Sequence, residues 1–397
     1  MLRQKGRFSA FIIRLAVVAT ALSVAAMIAS VAMISGFKYE IREKLFSYWG
    51  HVLITPYSPN NAGIVSPEPV PDDKGLYEQL KLMPEVTSVA KFAVRPAIVN
   101  ANRQMEGVQL KGVDEAYDFS GIHAAKLDFS DSSYSKDIIL SQTLLDRLQL
   151  KVGDDVLLYF LEKGSTFPRI RKVKVSGSYH TGMEDIDKRN AICDIRLLQQ
   201  INNWDQGEIN GYQLALTDDA LADTVAGKVF YNYLPADSRL YPQTMQEIFP
   251  AIYDWLSLQD VNAMLALIIM AFVAIIDMIA ALLILIVEQA RMVGILKTMG
   301  MAEKPLRRVF LYHALFIGGM GVLLGNVLGL GLCMLQQQTG FLKLSEATYY
   351  MQYVPVRLIW WHPVLISIAT LVLCILCMWL PTLYIRRILP ARVLQFK

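Results

Sequence analysis

Three stretches of this 397-residue chain place side chains where they could do chemistry. His180 stands just ahead of Glu184, Asp185 and Asp187, the one neighbourhood in which a histidine meets several carboxylates. Such a set could hold a metal ion or relay a proton during hydrolysis. The five histidines show no metal-ligand spacing, however, and neither H-E-x-x-H nor G-x-S-x-G occurs, so a solvated loop is the plainer reading. Asp277 is the single ionisable residue of the apolar run 261–287, about ten residues or ~15 Å from its end. A carboxyl there is a functional candidate by default; the alternative is a side chain that only packs against a neighbouring helix. Residues 288–305 read EQARMVGILKTMGMAEKP, a stretch too short and too charged to cross a bilayer. Met292, Ile295, Leu296 and Met299 recur at the three-and-four spacing of one helix face; Gly300 suits a C-terminal stop, and Pro305 cannot continue the helix. This is a short amphipathic helix at a membrane surface, with a solvated loop helix as the bland alternative.

What is missing narrows the function further. No G-x-x-x-x-G-K-[ST] occurs, so the chain does not bind ATP in the P-loop manner. A net charge of +3, with no basic run interleaved with aromatics, excludes nucleic acid as the expected partner. Hydrophobic residues make up 54% and charged residues 18% of the chain, with a mean hydropathy of +0.36. Soluble domains carry about 25% charged residues, so several membrane spans beside a folded soluble part are expected. Cys333, Cys374 and Cys377 lie in apolar runs and Cys193 is alone in the soluble part, which leaves the redox compartment unread and makes the three apolar-run cysteines packing residues. The chain reads as a mechanical or binding component, not an enzyme.

The elements that must position these residues follow from pattern. Arg3, Lys5, Arg7 and Arg14 precede an uncharged run at 15–34, too long for a signal-peptide core and therefore an uncleaved first span. Ala21, Ala25 and Ala29 on it repeat every four residues, which permits close helix contact. Residues 37–257 read as a soluble α+β domain. Strands are expected at 51–55, up to Leu140, at 156–161, at 171–179 (Val173, Val175 and Ser178 inward) and at 211–217. Ser141 caps a helix through Leu148, a second helix covers 220–233, 59–73 is an exposed loop, and Pro250 breaks the helical pattern of 244–259. Three further spans follow at 261–287, 310–335 and 362–385. Gly321, Gly325 and Gly329 give the third span two consecutive GxxxG units, a packing face for another helix. Tyr349, Tyr350, Tyr353, Trp360 and Trp361 suit an interfacial belt. Lysine and arginine crowd both tails and the 288–308 loop, whereas the loop between the last two spans has only Lys343 and Arg357. The positive-inside rule then puts both termini and the short helix in the cytoplasm and the large domain outside.

The run from Glu288 through Arg291, Ile295, Leu296, Lys297, Thr298 and Gly300 resembles the cytoplasmic coupling segment of the FtsX/MacB superfamily of ABC transporter membrane subunits. ILSQTLLDRLQLKVGDDVLLY (139–159), KVSGSYHTGMEDIDKRNAICDI (174–195) and TYYMQYVPVRLIWW (348–361) resemble stretches of its LolC/LolE-type, lipoprotein-releasing branch. The resemblance implies a membrane protein of four transmembrane helices with a large α+β extracytoplasmic domain between spans 1 and 2. Its parts would be a tail and first helix (1–36), a MacB-like periplasmic domain (37–257) and an FtsX-like domain (258–397) with a coupling helix at 288–304. It also implies an inner-membrane permease subunit that carries no cofactor. A separate ATPase subunit would bind ATP and magnesium and dock on Glu288, Arg291, Met292, Ile295, Leu296, Lys297, Met299 and Gly300. A second permease subunit, identical or not, membrane lipid, a lipoprotein substrate and a periplasmic lipoprotein carrier complete the implied partners. The alternatives are a MacB-like exporter and an FtsX-like mechanotransmitter that activates a cell-wall hydrolase. Two features depart from the branch: Asp277 stands where relatives commonly have an uncharged polar residue, and the hairpin EKGSTFPR (162–169) is short. Phe167, Pro168 and Arg169 could form a carrier-contacting tip there, or only a β-turn.

This topology is testable. In intact cells, a membrane-impermeant thiol reagent that crosses the outer membrane should label a cysteine placed at Asn60 but not one at Glu303. Equal labelling of both would end the four-span arrangement.

Overall fold

From Arg7 the chain runs as one helix of 43 residues, α1 (Arg7–Trp49). After it come β1 (Val52–Pro56), β2 (Val70–Pro71), α2 (Lys74–Lys81), β3 (Val86–Ala101), β4 (Gln104–Val113), β5 (Asp137–Ser141) and α3 (Gln142–Leu148). Next are β6 (Asp155–Phe160), β7 (Arg169–Tyr179), α4 (Glu184–Asp187), β8 (Asn190–Asp194), α5 (Ile195–Asn202), β9 (Glu208–Ile209), β10 (Gly211–Leu216), α6 (Ala222–Lys228) and β11 (Leu240–Thr244). The chain closes with α7 (Met245–Ile248), α8 (Pro250–Glu288), α9 (Ala290–Thr298), α10 (Glu303–Thr339), α11 (Glu346–Tyr349) and α12 (Trp361–Thr382). This computed structural model describes residues 7–57, 68–130, 133–161, 167–205 and 207–382. Most of the expected 59–73 loop, the hairpin residues 162–166 and the outer parts of both tails lie outside the described residues.

Local chemistry sets most element ends. Ser141 Oγ accepts the Leu144 amide at 3.1 Å, so β5 passes directly into α3. Asp73 and Asp194 cap α2 and α5 in the same way. Thr244 and Glu247 form a capping box on α7, and Pro250 opens α8, where its missing N–H is not needed. Asn102 and Arg103, with φ of 49° and 64°, form the two-residue turn that joins β3 to β4.

The chain divides into two compact units. One comprises 40–255 together with 344–352. Its nine-stranded sheet has the order β11-β1-β10-β3-β4-β8-β5-β7-β6, and β6 returns to the far end of β3 (Ile98↔Tyr159), so six of the strands close on themselves. β7 carries one extra residue opposite Ile138/Ile139, which puts Ser178 beside Leu140 on the same face as Val173 and Val175 while Tyr179 turns to the other face. One face is covered by α2, α3, α5 and α6 through Leu76, Leu80, Leu144, Leu148, Leu198 and Val225. The other holds the end of α1 (Leu45, Phe46, Tyr48, Trp49), α7 and the segment around Tyr117 and Phe119. Within that second core lies Lys111, fully buried, its ammonium donating to the Tyr48 carbonyl and, at 2.6 Å, to Gln213 Oε1. The rings of Trp49, Tyr117 and Tyr48 stand 4.6, 4.6 and 4.8 Å from it. β11 is left as an edge strand. Its residues 241 and 243 bond to β1; of those that point away, Leu240 gives its N–H to Ser238 Oγ, Thr244 gives its N–H to Glu247, and Pro242 has none.

The other unit comprises residues up to 39, 256–343 and from 353 on. The segment 344–352, expected with the membrane part, is therefore packed in the sheet unit; it was missed because its apolar and aromatic residues read equally well as an interfacial belt. Among the described residues, three helices are long and apolar enough to cross a membrane: Ile13–Trp49, Pro250–Glu288 and Glu303–Thr339. α12, of 22 residues, is apolar as well. Gly321, Gly325 and Gly329 of α10 face α1: a Cβ at Gly321 would lie 2.8 Å from Thr20 Cβ, and one at Gly325 2.7 Å from Val24 Cβ and 2.8 Å from the Ala21 carbonyl oxygen. At Gly329 it would lie 3.1 Å from Ala25 Cα. The two small-residue stripes thus meet each other. Asn326 Nδ2 donates to Ser367 Oγ at 2.7 Å and so ties α10 to α12.

Gly325→Val should lower the thermal midpoint of the purified chain, since forcing methyl groups into a filled contact costs about 1–3 kcal/mol. Gly331→Val, at a glycine whose Cβ would meet nothing within 4 Å, carries the same helix-propensity change and should leave the midpoint unchanged.

Candidate functional site

α8 ends at Glu288, and Gln289 separates it from α9. The helix expected at 288–304 is thus only nine residues long, Ala290–Thr298. Gly300, at φ 86°, ends it with two bonds, Gly300 N–H to Lys297 O and Met301 N–H to Leu296 O, the pattern of a Schellman stop. Pro305 lies in the first turn of α10, where a missing N–H costs nothing. Its role is to start the next helix rather than to end this one.

α9 has two faces. Val293 is fully buried against α8 and α10 with Leu285, Ile286, Leu306 and Phe310, and Leu296 packs on the edge of that cluster. Met292, Ile295 and Met299 are 40%, 44% and 78% exposed, and with Glu288 they form one outward stripe at helical spacing. Arg291 is exposed beside them; Lys297 is mostly covered, 3.8 Å from Glu303. Sequence spacing put Leu296 on the outward face and overlooked Val293. A helix of nine residues between two long ones must bury something of its own to hold its angle, and an unbroken Val-Gly-Ile-Leu run does not show which residue that is.

Asp277 is half-buried on α8 beside the fully buried Met278, with no hydrogen bond or ion pair among the described residues. The glycine face of α10 is occupied by α1 of the same chain and is not free for another protein. At the start of β7, Phe167 is 81% exposed and Pro168 half-buried, while Arg169 donates to Ile201 O at 2.6 Å and Asn203 Oδ1 at 2.9 Å, which makes it a strut to the end of α5. Leu161 and Ile170 are exposed as well.

The histidine neighbourhood differs from its sequence reading. Glu184 pairs with Lys188 and Asp185 is exposed, so only Asp187 of the three acids reaches His180, Oδ2 to Nδ1 at 3.2 Å. The second carboxylate comes from far along the chain: Glu346 Oε1 lies 2.5 Å from His180 Nε2. Asp187 is buried and accepts from the Thr181 amide (3.1 Å), Thr181 Oγ1 (2.7 Å) and the Gly182 amide (3.0 Å). Burial raises its pKa against these bonds and His180. Burial also pushes Glu346 up, but bonds from Gln352 and His180 outweigh it and hold the carboxyl below its ordinary range. The Asp187 carboxylate is committed to holding the Thr181–Gly182 turn, and among the described residues no group of three His, Cys, Asp or Glu is placed to hold a metal ion.

Residues 15–229 match the family model of the MacB-like periplasmic core domain, and residues 264–390 that of the FtsX-like permease C-terminal domain. The lipoprotein-releasing system transmembrane protein LolE of Haemophilus influenzae is 22% identical over 99% of this chain and 96% of its own length. LolC of Xylella fastidiosa is 23% identical over 100% and 96%, and LolC of Neisseria meningitidis 22% over 100% and 96%. The periplasmic region of MacB from Actinobacillus actinomycetemcomitans covers 51% of this chain and 92% of its own, at 12% identity and a TM-score of 0.34, too loose a superposition to argue from.

An unpaired carboxyl inside an apolar helix costs up to about 3 kcal/mol relative to leucine. Asp277→Leu should therefore raise the thermal midpoint of the purified chain, with Asp277→Asn between the two. A lowered midpoint for both would show that the carboxyl makes a stabilising packing contact.

Proposed function

This chain belongs to the MacB-like periplasmic core domain family and ends in an FtsX-like permease domain, and we propose that it couples ATP hydrolysis on a separate subunit to the release of lipoproteins from the inner membrane toward a periplasmic carrier. The observation that carries the reading is the outward stripe Glu288, Met292, Ile295 and Met299, presented between two long apolar helices in a chain aligned end to end with LolE and LolC relatives. In this reading α12 is the fourth span: its 22 residues reach about 33 Å, enough for a hydrocarbon core of about 30 Å. Both termini and α9 face the cytoplasm, and the sheet unit faces the periplasm.

The physical demand on such a machine is large. Each buried acyl CH₂ is worth about 0.8 kcal/mol, so lifting two or three chains out of a leaflet needs an external source of work. The ATPase supplies it with its own ATP and magnesium; this subunit supplies a lever. α9 seats its stripe in an apolar groove of the ATPase, Arg291 orients it, and Val293 locks the lever to α8 and α10, so that displacement of α9 carries both spans with it. A second permease subunit faces this one across the cargo, and the exposed Phe167, with Pro168 beside it, offers the carrier a contact.

Leu296 also packs on its own chain, so the clean test substitutes the outward residues. Burying one such side chain is worth roughly 1.5–3 kcal/mol. Ile295→Asp or Met299→Asp should therefore reduce co-purification of the ATPase by about tenfold or more while the chain still folds and inserts. Lipoprotein release from proteoliposomes should fall in parallel. Undiminished ATPase binding and release in both variants would sink the coupling assignment and leave α9 as a helix lying on lipid.

A further inference from the structure

The loop between α10 and α12 is built as an arm. Its two sides pair: Val354 N–H donates to Leu342 O, Leu344 N–H donates to Gln352 O, and Lys343 bridges to Tyr353. The buried Gln336 side chain clamps the base, donating to Leu342 O and Val354 O and accepting the Leu342 amide. The tip, residues 344–352, is part of the sheet unit. Glu346 joins His180 and, through it, the buried Asp187. Lys44 Nζ donates to Tyr350 O at 2.5 Å, Trp255 meets the Tyr350 ring edge-on at 6.1 Å, and Met351 is buried. Gly182 makes the seat possible. Its φ is 74°, and a Cβ there would lie 2.7 Å from Lys44 Nζ, 2.9 Å from Tyr350 O and 3.1 Å from Glu346 Oε1. So much specific chemistry on the nine residues at the tip of the 340–360 connection exceeds what joining two helices requires.

We propose that residues 344–352 are a strap, seated by Glu346 on His180 and by Tyr350 on Lys44, which must stay closed for movement of α10 and α12 to reach the sheet unit. The strap rests on the transport reading for its purpose but not for its detection. α1 and α8 also continue into the sheet unit, at residues 39/40 and 255/256. The strap adds the two remaining crossings, at 343/344 and 352/353, and makes the unit answer to four chain connections instead of two.

Two readouts on the full-length chain test this. Trypsin cleavage after the exposed Lys343 reports strap opening directly. It should be several-fold faster in Glu346→Gln and in His180→Ala than in wild type, with other cleavage sites unchanged; equal rates would overturn the seating. The second readout is release of a triacylated lipoprotein from proteoliposomes containing the ATPase. The double variant His180→Cys, Glu346→Cys should release several-fold more slowly, and a short bismaleimide joining the two thiols should restore the rate. Wild-type release in the unlinked variant, or abolished release after linking, would overturn the requirement for closure. Failure of wild type itself to release would count against the transport reading, while the cleavage rates would still decide whether the strap is seated as proposed.

Discussion

A lysine ammonium removed from water fixes the end of α1, and much of the sheet unit is organised around it. The last carbonyls of any helix lack partners, and the negative end of the helix dipole favours a cation there. Lys111 supplies both from near the end of β4, and burial holds its pKa far below the ordinary lysine range. Three aromatic rings offer their faces in place of a counter-ion. Gly50, at φ 77°, then turns the chain where a Cβ would strike Gln213 and the Leu214 carbonyl, and β1 starts two residues later. The helix is mounted on the sheet by its tip, with Phe46, Tyr48 and Trp49 as the packing beneath.

In the helical unit the analogous constraint is closeness. α1 offers Ala21 and Ala25, and α10 offers Gly321, Gly325 and Gly329, so backbones approach where larger residues would hold them apart. Membrane helices gain little from hiding apolar surface from lipid, and contact of this kind has to come from shape. The same geometry leaves Gly319 and Gly331 with open space, which separates glycines that pack from glycines that do not.

How much of this was legible in the sequence depends on how local the cause is. The Ser141 cap, the Gly300 stop and the break at Pro250 are decided within a few residues, and each was readable. Both small-residue stripes were visible, but not that they face each other, because pairing is a property of two segments 300 residues apart. β3 and β4, the longest hairpin of the sheet, went unread. Pro96 argues against a central strand. It is tolerated because β3 leaves β10 at Phe92 and meets β6 only from Ile98, so Pro96 lies where only β4 flanks the strand and its missing N–H is not needed. In the same gap the Val94 amide is taken by Asn210 Oδ1 at 2.7 Å. The seat of the strap was invisible for a related reason: HTGM gave a histidine near acids, but the acid that meets Nε2 lies 166 residues away.

The treatment of β11 bears on how crowded copies of this protein coexist. An edge strand normally offers a ladder of free donors to whatever extended peptide drifts past, including the edge of a neighbouring copy. Here one outward position is proline and the N–H groups of the other two are already spent on Ser238 and Glu247. The donor half of a strand-addition ladder is missing at this edge. An extended peptide, or the edge strand of a second copy, meets no free N–H at these positions and has to be recognised more through side chains, which can discriminate between partners and let go of them.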